Sequence, residues 1–216
     1  MAKVALLDQL HWLGHDTFRL ESAVTIYFDP LNLPDDVPVA DVILISHEHA
    51  DHCSPQDVAR IRGDETVVIA SAGAARKLTG DVRVIHPGEQ VTVAGIEIRA
   101  VPAYNVSRFR APGQPFHPRE AQHVGYLVTT GGETLYFAGD TDHIPEMADI
   151  DCDVALLPVG GTYTMDAPEA AQAAAEIDPQ VAVPMHWGGG VVGTRTDAEQ
   201  FEQLYKGEVA ILPEER

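Results

Sequence analysis

The apolar run Val42-Ile43-Leu44-Ile45 passes within two residues into His47-Glu48-His49-Ala50-Asp51-His52, and Cys53-Ser54-Pro55 follows. No other stretch constrains the fold as strongly. The four apolar residues read as a buried strand. Ser54 as N-cap and Pro55 at the first helical position predict a helix over 54–60 directly after the polar cluster. A strand, a turn dense in metal-ligand side chains and a helix are thus specified in under twenty residues.

The same punctuation recurs along the chain. Thr25–Phe28 stops at Asp29-Pro30, Val67–Ala70 at Ser71-Ala72-Gly73, and the alternating 96–101 at Pro102. Strands at 126–129 and 134–138 flank Gly131-Gly132 and predict a hairpin. Gly95 lies between another pair of short strands. Val154–Leu157 stops at Pro158 and Val181–Val183 at Pro184. β-Branched and aromatic residues bounded by Gly, Pro or Asp support a strand reading for all of them. Further helices are expected at 72–78, at 166–176 with Asp166 as cap, and at 197–205. The segment 103–122, rich in proline, reads as a long loop, and loops of that length are usually functional. Polar residues follow strand ends repeatedly, at Asp29, the histidine cluster, Asp140 and His186. The pattern predicts one layered α/β domain over residues 1–216, with its site at one edge of the sheets.

Composition narrows the function. Among 216 residues, 33 acidic against 14 basic side chains give a formal net charge of -19, which disfavours a long nucleic acid as partner. An apolar share of 45% allows a real core, and no run of about 18 apolar residues suggests a membrane span. No signal peptide is evident, and Cys53 and Cys152 form no disulfide framework, so a reducing cytoplasm is expected. Cys53 reads as a free thiol beside the histidine cluster. A homo-oligomer is compatible with this surface.

His47 and His49 are two apart, so an extended segment points both the same way. If the chain then turns, Asp51 and His52 can face the same region. Imidazole and carboxylate suit zinc, manganese or iron. So many donors fit two adjacent metals sharing a carboxylate better than one. Asp140, after the strand 134–138 and Gly139, is the candidate for sharing. His186, after 181–183, is the candidate last donor.

With these residues in place, the sequence resembles the metallo-β-lactamase superfamily. The motifs are H-x-H-x-D-H at 47–52, Gly139-Asp140 and the strand-ending His186, with Leu13-Gly14-His15 and Asp29-Pro30 similar to the opening of its small members. It looks most like the metal-dependent hydrolases that include relatives of ascorbate-6-phosphate lactonase. The resemblance implies a four-layer αββα sandwich. It implies His47 and His49 at one metal, Asp51, His52 and His186 at the other, and Asp140 between them. Asp29 would hold a ligand histidine from behind. One or two Zn2+ ions are implied, with Mn2+ or iron as alternatives. The implied reaction is attack by a metal-bound hydroxide on a small ester, lactone or phosphodiester, with Asp51 and Asp140 as catalytic carboxylates.

One departure stands out. The family pattern wants another histidine near Val101-Pro102-Ala103, where this chain has Tyr104-Asn105. Asn105 itself, His117 or His123 from the long loop, or a mononuclear centre are the alternatives. The substrate is read as a small molecule, and as anionic if the Gly160-Gly161-Thr162 loop or Arg108, Arg110 and Arg119 contact it. His15 and His143 are candidate pocket residues. Rival readings are a non-catalytic metal-binding scaffold, an RNA nuclease, and a di-iron oxidoreductase using Glu48.

Overall fold

The computed structural model describes residues 4–215. After a short helix α1 (Ala5–Asp8), the strands β1 (Leu10–Trp12), β2 (Phe18–Glu21), β3 (Thr25–Phe28), β4 (Ala40–Ile45), β5 (Arg62–Ala70) and β6 (Arg83–Val84) form one sheet in sequence order. Helices α2 (Pro55–Ile61) and α3 (Ala72–Ala75) connect its parallel part. The second sheet begins with β7 (Gln90–Val93) and β8 (Ile96–Pro102). The ribbon of β9 (Phe109–Ala111) and β10 (Gln114–Pro115) follows apart from it. The sheet resumes with β11 (Val124–Thr130), β12 (Glu133–Phe137), β13 (Val154–Pro158) and β14 (Val181–Met185), in the order β14-β13-β12-β11-β8-β7. Helix α4 (Ala167–Ile177) lies between β13 and β14, and α5 (Arg195–Leu204) follows β14.

Alternation explains the layers. In β3 and β4, Phe28 and Leu44 face the second sheet, while Tyr27, Ile43 and Ile45 face the other way and pack with Val58 and Ile61 of α2. The inter-sheet core includes Phe28 stacked on Phe137 at 5.1 Å and Phe18 edge-on to it at 6.5 Å. Ala170, Ala174, Ala198 and Phe201 of α4 and α5 join the core on the second sheet. The result is the αββα sandwich. Among the described residues, no helix is long and apolar enough to cross a membrane.

The structure refines several boundaries. α3 spans only four residues, because the amides of Lys77 and Leu78 bond back three residues in tighter turns. α5 starts two residues before the expected 197, because Thr194 caps it and Asp197 closes a capping box as the third helical residue. β1 and β2 escaped the sequence reading: each is short, and its inward residues Trp12, Phe18 and Leu20 gain meaning only when paired.

β3, β4, β12 and β14 all end at the same edge of the sandwich. Each pairs in parallel with a neighbour, and the carboxyl ends of parallel strands form a crevice where loops diverge. The two sheets are tied there by the Tyr126 hydroxyl, which donates to the Ile45 carbonyl at 2.8 Å. Tyr126→Phe removes one of the two donors to that carbonyl, the Ser71 amide remaining at 3.1 Å, so it is expected to cost about 0.5–1.5 kcal/mol. Urea unfolding measures this; an unchanged midpoint would show that the contact is inert.

Candidate metal centre

The chain reaches the crevice through three strand ends. After β4, Ser46 turns the backbone, and His52 and Cys53 bond back to the His49 carbonyl, closing the motif into a turn. Ser54 then caps α2, accepting from the Asp57 amide at 3.2 Å. After β12, Gly139 adopts φ +64°, where a Cβ would approach the Val124 carbonyl oxygen to 3.0 Å; the turn aims Asp140 inward. After β14, His186 itself sits at φ 60°, unusual for a residue with a side chain. Gly160 permits this placement, since a Cβ there would stand 2.5 Å from the His186 carbonyl oxygen.

Asp140 is the pivot. Its Oδ2 lies 3.1 Å from His117 Nε2 and 3.8 Å from His47 Nε2. Its Oδ1 lies 3.2 Å from His52 Nε2 and 3.3 Å from His186 Nε2. His49 Nδ1 is 3.1 Å from both His47 Nε2 and His117 Nε2. Two donors about 2.1 Å from one ion stand roughly 3.4 Å apart at a tetrahedral angle, so these spacings are those of donors around a cation. His47, His49, His117 and Asp140 each place a donor atom within 4.8 Å of the others. A buried carboxylate thus presents one oxygen to each of two histidine groups.

The histidines are held from behind, and this settles their tautomers. Ser46 Oγ donates to Asp29 Oδ2 at 2.5 Å, so its lone pair accepts from His47 Nδ1 at 2.9 Å. His52 Nδ1 donates to Asp29 Oδ2 at 2.8 Å, and His117 Nδ1 to Asn105 Oδ1 at 2.9 Å. In each case Nε2 keeps its lone pair toward the centre, the arrangement that orients metal-binding imidazoles. Asp29 therefore does what the resemblance implied. Burial holds His47 well below the usual imidazole range and lowers His49, so both are neutral. Burial pushes Asp140 up, but His186, His52 and His117 pull it well below the carboxylate range. Burial pulls His52 down, but Asp140 and then Asp29 raise it well above normal. The carboxylates here favour positive charge on the groups facing them, whether on the imidazoles or on a bound cation.

The long loop resolves the departure at Asn105. Its side-chain oxygen is engaged by both the His117 amide, at 2.8 Å, and the His117 ring. Its Nδ2 donates to Asp142 at 2.8 Å and to the Tyr163 carbonyl at 2.9 Å. The Asn105 oxygen is thus taken up in holding His117, and His117 joins His47, His49 and Asp140 in one group of potential donors. His123 instead lies 3.2 Å from Glu48, with its pKa lowered by burial to about 4. Glu48 lies beside this histidine and Gly73.

Asp51 sits differently from its neighbours. It is a quarter exposed, with Oδ2 3.7 Å from His52 Nε2 and 3.5 Å from His15 Nε2. The compact second group comprises His15, Asp16, His52 and His186. Asp16 carried no signal in the sequence beyond its place after Gly14-His15. His143 lies elsewhere: its amide bonds to Glu169 and its ring to Glu176. Arg108 is taken up by Asp142, Asp166 and Glu169, and Arg119 by Glu146. The start of α4 is capped by Asp166, and Gly160 packs against the His186 carbonyl. Cys53 is a buried free thiol, pushed by burial to about 11.

A cavity of about 490 Å³ opens over the centre. His49, Asp51, His117 and Asp140 form its floor, and Phe116, Tyr163, Val191 and Val192 its walls. Arg110, stacked 5.6 Å from the Phe116 ring, is the cationic side chain lining it.

A family model described as the beta-lactamase superfamily domain matches residues 9–186. A UPF0173 metal-dependent hydrolase of Methanocorpusculum labreanum is 34% identical over 205 residues, covering 92% of this chain and 89% of that protein. A crystal structure from Parabacteroides distasonis, provisionally described as a metal-dependent hydrolase, is 34% identical with a TM-score of 0.84, covering 96% and 93% of the two chains. A metallo hydrolase from Ignicoccus hospitalis, 23% identical with a TM-score of 0.74 and coverage of 96% and 95%, shares the fold. With this identity and coverage, and with the sandwich and strand-end donors described above, the chain belongs to the metallo-β-lactamase superfamily, among its metal-dependent hydrolases.

Proposed function

We propose that the chain hydrolyses a small ester, lactone or phosphodiester using two divalent ions, with zinc the first candidate. His47, His49 and His117 would hold one, Asp51, His52 and His186 the other, and Asp140 would serve both. The observation that carries this reading is the single buried carboxylate whose two oxygens face two separate histidine groups. The donor set of imidazoles and carboxylates fits such ions. His52 Nε2, Asp140 Oδ1 and both ring nitrogens of His186 are buried without a hydrogen-bond partner, which also fits.

Ions held there supply Lewis-acid polarisation and a water that ionises near neutral pH. The rest falls to the chain. Burial pushes Asp51 up, but His15 and His52 pull it well below the carboxylate range, so it is ionised at the cavity floor. From there it orients a water by accepting a hydrogen bond from it. The apolar walls limit competing solvent, and the volume suits a small molecule. Arg110 favours a substrate with an anionic end. A long nucleic acid is disfavoured by the net charge of -19.

The test uses purified protein stripped with a chelator and assayed on ester, lactone and phosphodiester probes. Activity is expected to vanish with the metal and return on adding zinc or manganese, with two equivalents per chain by elemental analysis. Full turnover in the metal-free protein would sink the proposal.

A further inference from the structure

We propose that His15 is an additional donor to the second metal locus, with Asp16 as the buried carboxylate that supplies negative charge to the same group. This rests on the two-metal reading above. Both residues lie in the loop between β1 and β2, and both are buried, at 1% and 0% exposure. Neither ring nitrogen of His15 and neither carboxylate oxygen of Asp16 has a hydrogen-bond partner. Histidines and aspartates retained in a core are normally satisfied, because burying them unpaired is costly. These two point instead into a shared space with His52 and His186, each of the four placing a donor atom within 4.8 Å of the others.

The spacing matches that of the expected donors. His15 Nε2 stands 3.5 Å from Asp51 Oδ2, beside the 3.7 Å between that oxygen and His52 Nε2. The rings of His15 and His186 are 4.3 Å apart. Asp16 Oδ2 lies 3.6 Å from His52 Nδ1, behind the ring face that looks toward Asp140.

The backbone is arranged to hold this imidazole in place. His15 has φ 52°, a conformation rare for residues with side chains. Its amide donates to the Trp187 carbonyl at 3.1 Å, and its carbonyl accepts from Trp12 Nε1 at 2.9 Å. Trp187 directly follows His186, so the two histidines are tied through adjacent backbone. A strained histidine braced on the residue after another candidate ligand is hard to account for as packing alone. The assignment makes the two loci unequal: three histidines and Asp140 at the first, three histidines with Asp51 and Asp140 at the second.

The experiment titrates the metal-free full chain with Co2+ and with Zn2+, following binding by chelator competition and the visible cobalt spectrum. His15→Asn is the main variant, because asparagine tolerates the left-handed backbone. The wild type is expected to bind two equivalents. H15N should keep the first at wild-type affinity, which also reports that it is folded. Its second should weaken at least about tenfold, and the cobalt band of that locus should shift. Asp16→Asn, which leaves the strained residue intact, should weaken the second equivalent without losing the His15-dependent band. A second equivalent unchanged in affinity and spectrum in H15N overturns the His15 assignment alone. One unchanged in D16N overturns the role of the Asp16 charge. A wild type that binds a single equivalent overturns the two-metal reading and this assignment together.

Discussion

Asp140→Ala is expected to lower kcat/KM at least about a thousandfold, or about 4 kcal/mol of transition-state stabilisation, and, on the proposed two-metal reading, to leave at most one equivalent of metal bound. The reason lies in how the carboxylate is shared. One oxygen faces His117 and His47, the other His52 and His186, so its removal takes a donor from both groups at once. It also withdraws negative charge from beside His52 and His186, which favours their neutral forms without restoring the lost bridge. Asp140→Asn separates charge from volume. It preserves shape, but its amide presents N–H groups to one set of imidazole lone pairs. The two variants should therefore fail alike in activity, while elemental analysis finds a residual ion more readily in the asparagine form. Retention of wild-type kcat/KM by either variant would remove Asp140 from the mechanism.

His117→Ala is expected to abolish the first equivalent while leaving the second. The first group has three histidines and one carboxylate oxygen, and His117 Nε2 is 3.1 Å from both the Asp140 oxygen and His49. Asn105→Ala acts one step further out. It removes the acceptor behind His117 Nδ1 and the bonds that anchor the loop to Asp142 and Tyr163. Loss of such a backing group typically weakens metal binding about ten- to a hundredfold, so N105A should reduce affinity rather than eliminate it. His123→Ala is the control, because His123 faces Glu48 and is outside the first group. If H123A loses the first ion while H117A keeps it, the assignment of the loop histidine is wrong. Asp142 explains how an irregular loop can supply a donor with this accuracy: its carboxylate accepts from the amides of Val106, Ser107 and Arg108, fixing the turn that carries Asn105.

Much of this centre is local and therefore readable in one dimension. His47, His49, Asp51 and His52 lie within six consecutive positions of one turn, and the strand before it and the capped helix after it are specified by their own residues. Asp140 and His186 are recognisable because each comes within three residues of the end of an apolar strand. The layered fold is legible for the same reason, since period-two alternation and Gly, Pro and Asp punctuation are properties of neighbouring residues.

What remained hidden depends on distant packing. No spacing rule connects His117 with Asp140, twenty-three positions apart, or indicates that Asn105 would stand behind His117 rather than offer its own oxygen. Nor does sequence reveal that His123 turns to Glu48, that His143 turns to Glu176, or that Asp16 is buried without a hydrogen bond against His52 and His186. The residues after a strand can show that donors are present, because strand direction and turn chemistry are set locally. Which donors share a cation depends on two sheets closing against one another and on a proline-rich loop folding over their edge, and only the tertiary structure decides those distances.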